Sequence, residues 1–140
     1  MRKTFIFIPL TAAALLLGSG TVTATAGPAT ASDTTGIARK CLEDAPSFTS
    51  YPGTGPNDPS YWPKRGTYAT TTARCDDINV KPARNLDVRT CFKKGSGWTC
   101  NGWRPLHQGR WGLAAEDVLN GTQFFLQFEG TAKVSGHIDY

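Results

Sequence analysis

Four thiols offer the clearest chemistry in this 140-residue chain: Cys41, Cys75, Cys91 and Cys100. Two uses compete, a metal site and a pair of disulfides. Cys91 and Cys100 lack the short Cys-x-x-Cys spacing of zinc sites. They flank a Lys94-Gly95-Ser96-Gly97 turn instead. If Gly95-Ser96 is a two-residue turn, Lys94 opposes Gly97 as a hydrogen-bonded pair, and Cys91 then faces Cys100 at a non-hydrogen-bonded position. There the chains approach to about 4.5 Å between Cα atoms, which suits a cross-strand disulfide. Cys41 is left for Cys75. Four cysteines permit three connectivities, and this is the one the geometry favours. Loop entropy assigns about 2.7 kcal/mol to the ten-residue ring and about 3.8 kcal/mol to the 35-residue ring. A core this small rarely gains more than about 3–5 kcal/mol from packing, so both staples matter.

The remaining reactive groups do not assemble into a catalytic signature. The two histidines, His107 and His137, lie in no recognisable nucleophile or base motif. Asp76-Asp77 and Glu116-Asp117 are adjacent carboxylates, and neighbours on a strand point to opposite faces, so neither pair is a natural acid/base couple. Asp76, Asp77 and Asn79 fall short of the ligand count of a calcium loop. The sequence therefore predicts no enzyme, no metal and no cofactor.

The N-terminus indicates the compartment. Arg2 and Lys3 precede an apolar run from Phe5 to Leu17, and Ala24-Thr25-Ala26 supplies a small-x-small cleavage site. Residues 1–26 are expected to be a signal peptide, with Ala29-Thr30-Ala31 as a second acceptable site. The run is too short for a membrane span, so a secreted, extracellular protein with no membrane contact after cleavage is expected. Loss of residues 1–26 lowers the formal net charge from +4 to +2. The basic residues are interspersed with acids, Arg74 beside Asp76 and Asp77, Arg84 and Arg89 around Asp87. That is unlike the basic stripe of a nucleic-acid binder, and no nucleic-acid partner is expected.

The elements that must position these groups fall into two parts. Residues 27–66 contain Pro46, Pro52, Pro56, Pro59 and Pro63, with Ile37 and Leu42 their only aliphatic side chains larger than Ala apart from prolines. Such a stretch is expected to be an extended Pro/Gly-rich arm, with at most one or two helical turns over Ile37 to Asp44. Residues 67–140 alternate in short runs separated by turns, the mark of antiparallel sheet. Leu86, Val88, Thr90 and Phe92 share one face, as do Phe124, Leu126 and Phe128 on a later run, and Val134, Ile138 and Tyr140 on the last. Between Trp111 and Thr122 the helix formers of Leu113 to Leu119 compete with Asn120-Gly121, a type I′ hairpin signal, and a strand followed by a turn is expected. The fold class is all-β: a small antiparallel sandwich or open barrel of six or seven strands carrying the N-terminal arm.

Aromatic residues are the better functional clue. Trp98 shares a face with Arg89, Lys93 and the Cys91–Cys100 staple, and is expected to be half exposed and free to stack on Lys93 or on a partner. Trp103, on the opposite face with Val88 and Phe92, is expected in the core. Tyr51, Tyr61 and Trp62 stand among the prolines of the arm. They either anchor it in a partner's groove or fold back onto the sheet.

The runs Cys75-Asp76-Asp77-Ile78-Asn79-Val80, Thr90-Cys91-Phe92, Trp98-Thr99-Cys100-Asn101-Gly102-Trp103 and Asp117-Val118-Leu119-Asn120-Gly121-Thr122-Gln123-Phe124 resemble the small exported β-domain proteins of Streptomyces and related actinobacteria. Some of these are similar to the adaptor subunit of secreted umbrella toxin particles. The resemblance covers Cys75 to Tyr140 and contains no active-site motif. It implies an adaptor whose N-terminal segment engages a repeat-bearing stalk protein while the globular part holds a lectin-like subunit. Two functions are thus expected to compete: a non-catalytic adaptor or inhibitor that binds other secreted proteins, and a carbohydrate-binding module with Trp98, Trp111 and Tyr140 as its platform.

Overall fold

The computed structural model describes residues 40–140. The expected signal peptide and residues 27–39 of the expected arm lie outside the described residues.

Ten short strands follow one another: β1 (Ser47–Thr49), β2 (Ser60–Trp62), β3 (Ala69–Thr70), β4 (Ile78–Pro82), β5 (Leu86–Lys94), β6 (Gly97–Cys100), β7 (Arg104–Leu106), β8 (Gly112–Ala115), β9 (Gln123–Phe128) and β10 (Ser135–Asp139). They form two antiparallel sheets. One runs β1-β10-β4-β8; the other runs β2-β9-β5-β6, with β3 also on β9 and β7 also on β5. The sheets do not close into a barrel. The all-β sandwich expected from the alternation is therefore what the chain adopts.

The alternation fills the space between the sheets. Val88 and Thr90 of β5, and Phe124, Leu126 and Phe128 of β9, are fully buried, and Ile78, Val80 and Ile138 meet them from the other sheet. Two side chains cross the layer as polar ties. The Thr90 hydroxyl donates to the Ala114 carbonyl at 3.0 Å, and Asn101 Nδ2 donates to the same oxygen at 2.9 Å. Asn101 Oδ1 in turn accepts the Thr90 amide at 2.7 Å. A buried amide and a buried hydroxyl are thereby satisfied where the β6 ladder ends.

Both disulfides form, Cys41 with Cys75 and Cys91 with Cys100, and no described cysteine is free. The β5–β6 register is the one the turn requires: Lys94 opposite Gly97, Lys93 opposite Trp98, Phe92 opposite Thr99 and Cys91 opposite Cys100. Such bridges form and persist in oxidising compartments. No described helix is long and apolar enough to cross a membrane.

Three expectations are corrected. The first concerns the arm: its described part is not a free extension. β1 pairs with β10, and β2 pairs with β9. What holds it is an aromatic side chain and not an aliphatic one. Phe48 is 5% exposed, stacked at 5.5 Å on Phe128 and edge-on at 6.0 Å to Trp62. The prolines flank these strands, Pro46 and Pro52 about β1, Pro59 and Pro63 about β2, where a missing amide donor costs no ladder bond. Leu42 and Asp44 have positive φ, so the Lys40–Asp44 stretch is a turn and not a helix. With β3 to β10 making eight strands after residue 66, the count also exceeds the expected six or seven.

The second correction is Trp103, which is 41% exposed. In the register of Cys91 and Cys100, Trp103 would oppose buried Val88. One extra residue is accommodated between β6 and β7, so Arg104 takes the place opposite Val88 and Trp103 is turned out.

The third is the Asn120-Gly121 turn. It does not close a hairpin, because β8 belongs to one sheet and β9 to the other. Gly121 has φ +81°, and the turn is held by Thr71, whose hydroxyl donates to the Leu119 carbonyl at 2.7 Å and accepts the Thr122 amide at 2.9 Å. The chain thus changes sheets at a corner fixed by a buried threonine 49 positions before Asn120 and not by the turn alone.

Gly136 marks the closest approach of β10 to β4. A Cβ there would lie 2.3 Å from the Lys81 carbonyl oxygen and 3.0 Å from Pro82 Cα. Gly136→Ala is therefore expected to push the two strands apart and lower stability by about 1–3 kcal/mol. An unchanged thermal midpoint would show that the sheet yields there freely.

Candidate functional site

Residues whose neighbours on the strand enter the core must themselves point out. On the six-stranded sheet this outer set is Tyr61 from β2, Phe125 and Gln127 from β9, Arg89 and Lys93 from β5, and Trp98 from β6. Pairing brings them into rows: Tyr61 opposite Gln127, Gln127 opposite Arg89, and Lys93 opposite Trp98. Cys91 also faces outward but is fully buried, covered by its own bridge and by Gln127, whose Oε1 lies 3.8 Å from the sulfur.

The aromatic rings on this face meet at angles. Trp98 contacts Phe125 edge-on at 4.9 Å and Tyr68 at 5.7 Å, while Tyr61 stacks on Tyr51 at 5.8 Å. Cations cap the rings. The Arg65 guanidinium sits 4.2 Å above Tyr61, Lys93 Nζ 5.3 Å above Trp98, and the Arg89 guanidinium 4.6 Å above Trp103. Each such contact contributes about 0.5–1 kcal/mol when exposed and keeps a charged head at a defined place. Arg89 is fixed further by its Nε, which donates to Gln127 Oε1 at 2.7 Å.

Between these groups opens a cleft of about 340 Å³ with Tyr61, Tyr68, Trp98 and Phe125 as walls. Arg65, Lys93 and Gln127 supply polar atoms together with Thr67 and the tyrosine hydroxyls, and the chain from Pro63 to Tyr68 forms one side. The Arg65 side of the rim is ordered by charge: Arg65 pairs with Asp58. The Thr54 hydroxyl, donating at 2.6 Å, together with Arg65 holds the Asp58 carboxyl below the usual carboxylate range. The same carboxylate raises the Arg65 guanidinium above its ordinary value, so this pair is charged near neutral pH.

Of the residues expected to meet a partner, Tyr61, Lys93 and Trp98 come together in this cleft, and Tyr51 lies against Tyr61. Trp62 does not join them. Its strand neighbour faces out, and its own ring packs inward on Phe48, Phe124 and Tyr140. The expected sugar platform of Trp98, Trp111 and Tyr140 is not assembled. Tyr140 meets Phe124 at 5.0 Å on the inner side, where burial, and secondarily the Asp139 charge, raise its hydroxyl pKa; Trp111 leads into β8 of the other sheet. Tyr68, Phe125 and Arg65 escaped the sequence reading. The signal for Phe125 was present: three phenylalanines in β9 alternate in a way that leaves it alone on the polar face.

The groups considered for catalysis and metal binding either lie apart or are in structural use. His107 and His137 are exposed and line different shallow clefts. Asp77 Oδ1 accepts the Asp117 amide at 2.9 Å, a structural use. Cys41, Cys75 and Asp139 cluster closely, but both sulfurs are bridged and Asp139 accepts the Leu42 amide at 2.6 Å and Arg74 Nε at 2.9 Å. No protein-family model, curated protein or solved structure matches this chain.

Proposed function

We propose that the chain is a secreted, non-catalytic protein-binding module, an adaptor that links subunits of an extracellular, toxin-type complex through the outer face of its six-stranded sheet. The observation that carries this reading is the gathering of Tyr61, Tyr68, Trp98 and Phe125 about one cleft, capped by cations, on a sheet stapled by Cys91–Cys100. Exposed aromatic and arginine side chains on a rigid support are the usual anchors of protein interfaces. The disulfides agree with an extracellular site of action. The resemblance to actinobacterial adaptors adds the kind of assembly, with a stalk protein and a lectin-like subunit as partners. Because the described part of the arm is folded into the sheets, the contact is assigned to the cleft and not to an inserted arm.

The test is affinity capture from the culture supernatant of the source organism. The oxidised protein should recover a defined set of secreted proteins, and a Tyr68→Ala/Trp98→Ala variant should lose them by about thirtyfold or more, the scale of an interface hot spot. Its melting should stay within a few degrees of the parent, since both side chains are exposed. Undiminished recovery by the double variant would refute the reading. A second reading, a carbohydrate-binding module, draws on the same aromatic walls; retention on insoluble polysaccharide without protein capture would favour it.

A further inference from the structure

We infer that the cleft is a socket for a short acidic segment of a partner protein, a Glu or Asp side chain flanked by apolar residues, with the carboxylate held by Lys93 and the apolar flank against Trp98 and Phe125. This rests on the protein-binding reading and names what that surface recognises. Three features carry it.

The first is charge. Among the described residues no carboxylate lines the cleft, whereas Arg65 and Lys93 do. Arg65 stands over β2 and Lys93 over β6, the two ends of the strand order β2-β9-β5-β6, so cations flank the cleft from both sides. Arg65 is matched by Asp58, but Lys93 has no carboxylate within ion-pair reach among the described residues. Lys93 is half-buried as a residue, and its ammonium, held over an indole ring without a carboxylate partner among the described residues, favours an entering anion.

The second is the balance of donors and acceptors. Arg65 and Lys93 only donate, and Gln127 Oε1 already accepts Arg89 Nε, while the hydroxyls of Tyr61, Thr67 and Tyr68 both donate and accept. A carboxylate only accepts and supplies the charge that Lys93 lacks among the described residues, whereas a neutral sugar would leave that ammonium without a counter-ion.

The third is shape. The Trp98 and Phe125 rings meet at 68° and the Tyr68 and Trp98 rings at 52°, which makes an angular recess and not the flat platform on which a sugar ring stacks. The volume of about 340 Å³ suits a short stretch of chain.

The experiment uses an array of capped peptides in which Glu or Asp is flanked by Leu, Val or Phe, with Gln and Asn counterparts and polygalacturonate as the acidic-glycan arm. Binding of the oxidised protein is measured by fluorescence polarisation. Acidic peptides are expected to bind about tenfold or more tighter than their amides at about 50 mM salt, with the difference shrinking at about 500 mM. Lys93→Gln should abolish the preference, Lys93→Arg should keep it, and Trp98→Ala should weaken acidic and amide peptides alike. Equal affinity for acid and amide, an unchanged preference in Lys93→Gln, or binding of polygalacturonate in place of peptide would each overturn the socket. Capture from supernatant separates the two claims. If capture still depends on Tyr68 and Trp98 while no acid preference is seen, the socket fails and the adaptor stands. If acidic peptides bind but capture is indifferent to these residues, the adaptor fails and the socket stands.

Discussion

Phe128→Ala is expected to cost about 3–5 kcal/mol, the range for removing a fully buried phenylalanine. Phe128 is unexposed and sits opposite Ser60 of β2 and Val88 of β5, with Phe48 of the other sheet stacked on its ring. Its loss therefore opens a cavity in one sheet and takes away the chief apolar contact of β1 in the other. A domain of this size has roughly 5–15 kcal/mol in all, so the variant should stand near its folding threshold at room temperature. The check is the urea midpoint at constant m. Phe125→Ala, three residues earlier on the outer face, should cost less than half as much. Equal losses would mean that Phe128 is not the centre of the core.

Removing the Cys41–Cys75 bridge by paired Cys→Ser replacement is expected to cost about 3.8 kcal/mol, against about 2.7 kcal/mol for Cys91–Cys100, from the loop-entropy dependence on ring size. The folded structure points the same way. Cys91–Cys100 lies within a ladder, with Lys94 paired to Gly97 on one side and Thr90 tied to Asn101 on the other, so the hairpin keeps its shape without the bond. Cys41 has less around it. Apart from the bridge, its stretch is held by the Leu42 amide on Asp139 and by Arg74, whose guanidinium pairs with Asp139 and donates to the Glu43 carbonyl. Hydrogen exchange would add a local reading: the Ile138 amide, which donates to the Pro46 carbonyl at 3.0 Å, should lose more protection in Cys41→Ser/Cys75→Ser than the β5–β9 amides do. A greater loss of stability in Cys91→Ser/Cys100→Ser would contradict the assignment of the larger staple.

The contrast between these two bridges also shows where the chain was readable. The β5–β6 hairpin was legible down to register because Gly95-Ser96 and the two cysteines constrain one another over ten residues, and the inward sets on β5 and β9 followed from period two. What escaped the reading depends on contacts distant in sequence. β1 and β2 are three residues long, too short for any period, and each owes its place to a single ring, Phe48 or Trp62, packing on residues some 60 to 80 positions away. Trp103 was misplaced because one extra residue before β7 reverses which face it takes. The cleft was half visible. Trp98 and Lys93 are neighbours across one hairpin, but Tyr61 and Phe125 reach them only through the non-sequential order β2-β9-β5-β6, and Tyr68 through the pairing of β3 with β9.

β1 finds its sole strand partner among the described residues in β10, Ser47 opposite His137, so the first strand of the described fold cannot be placed until β10 is available. A topology so dominated by distant pairings folds on the slow side, in roughly milliseconds to seconds. The four-stranded sheet is thus completed at its β1 edge only once Ser135–Asp139 is in place.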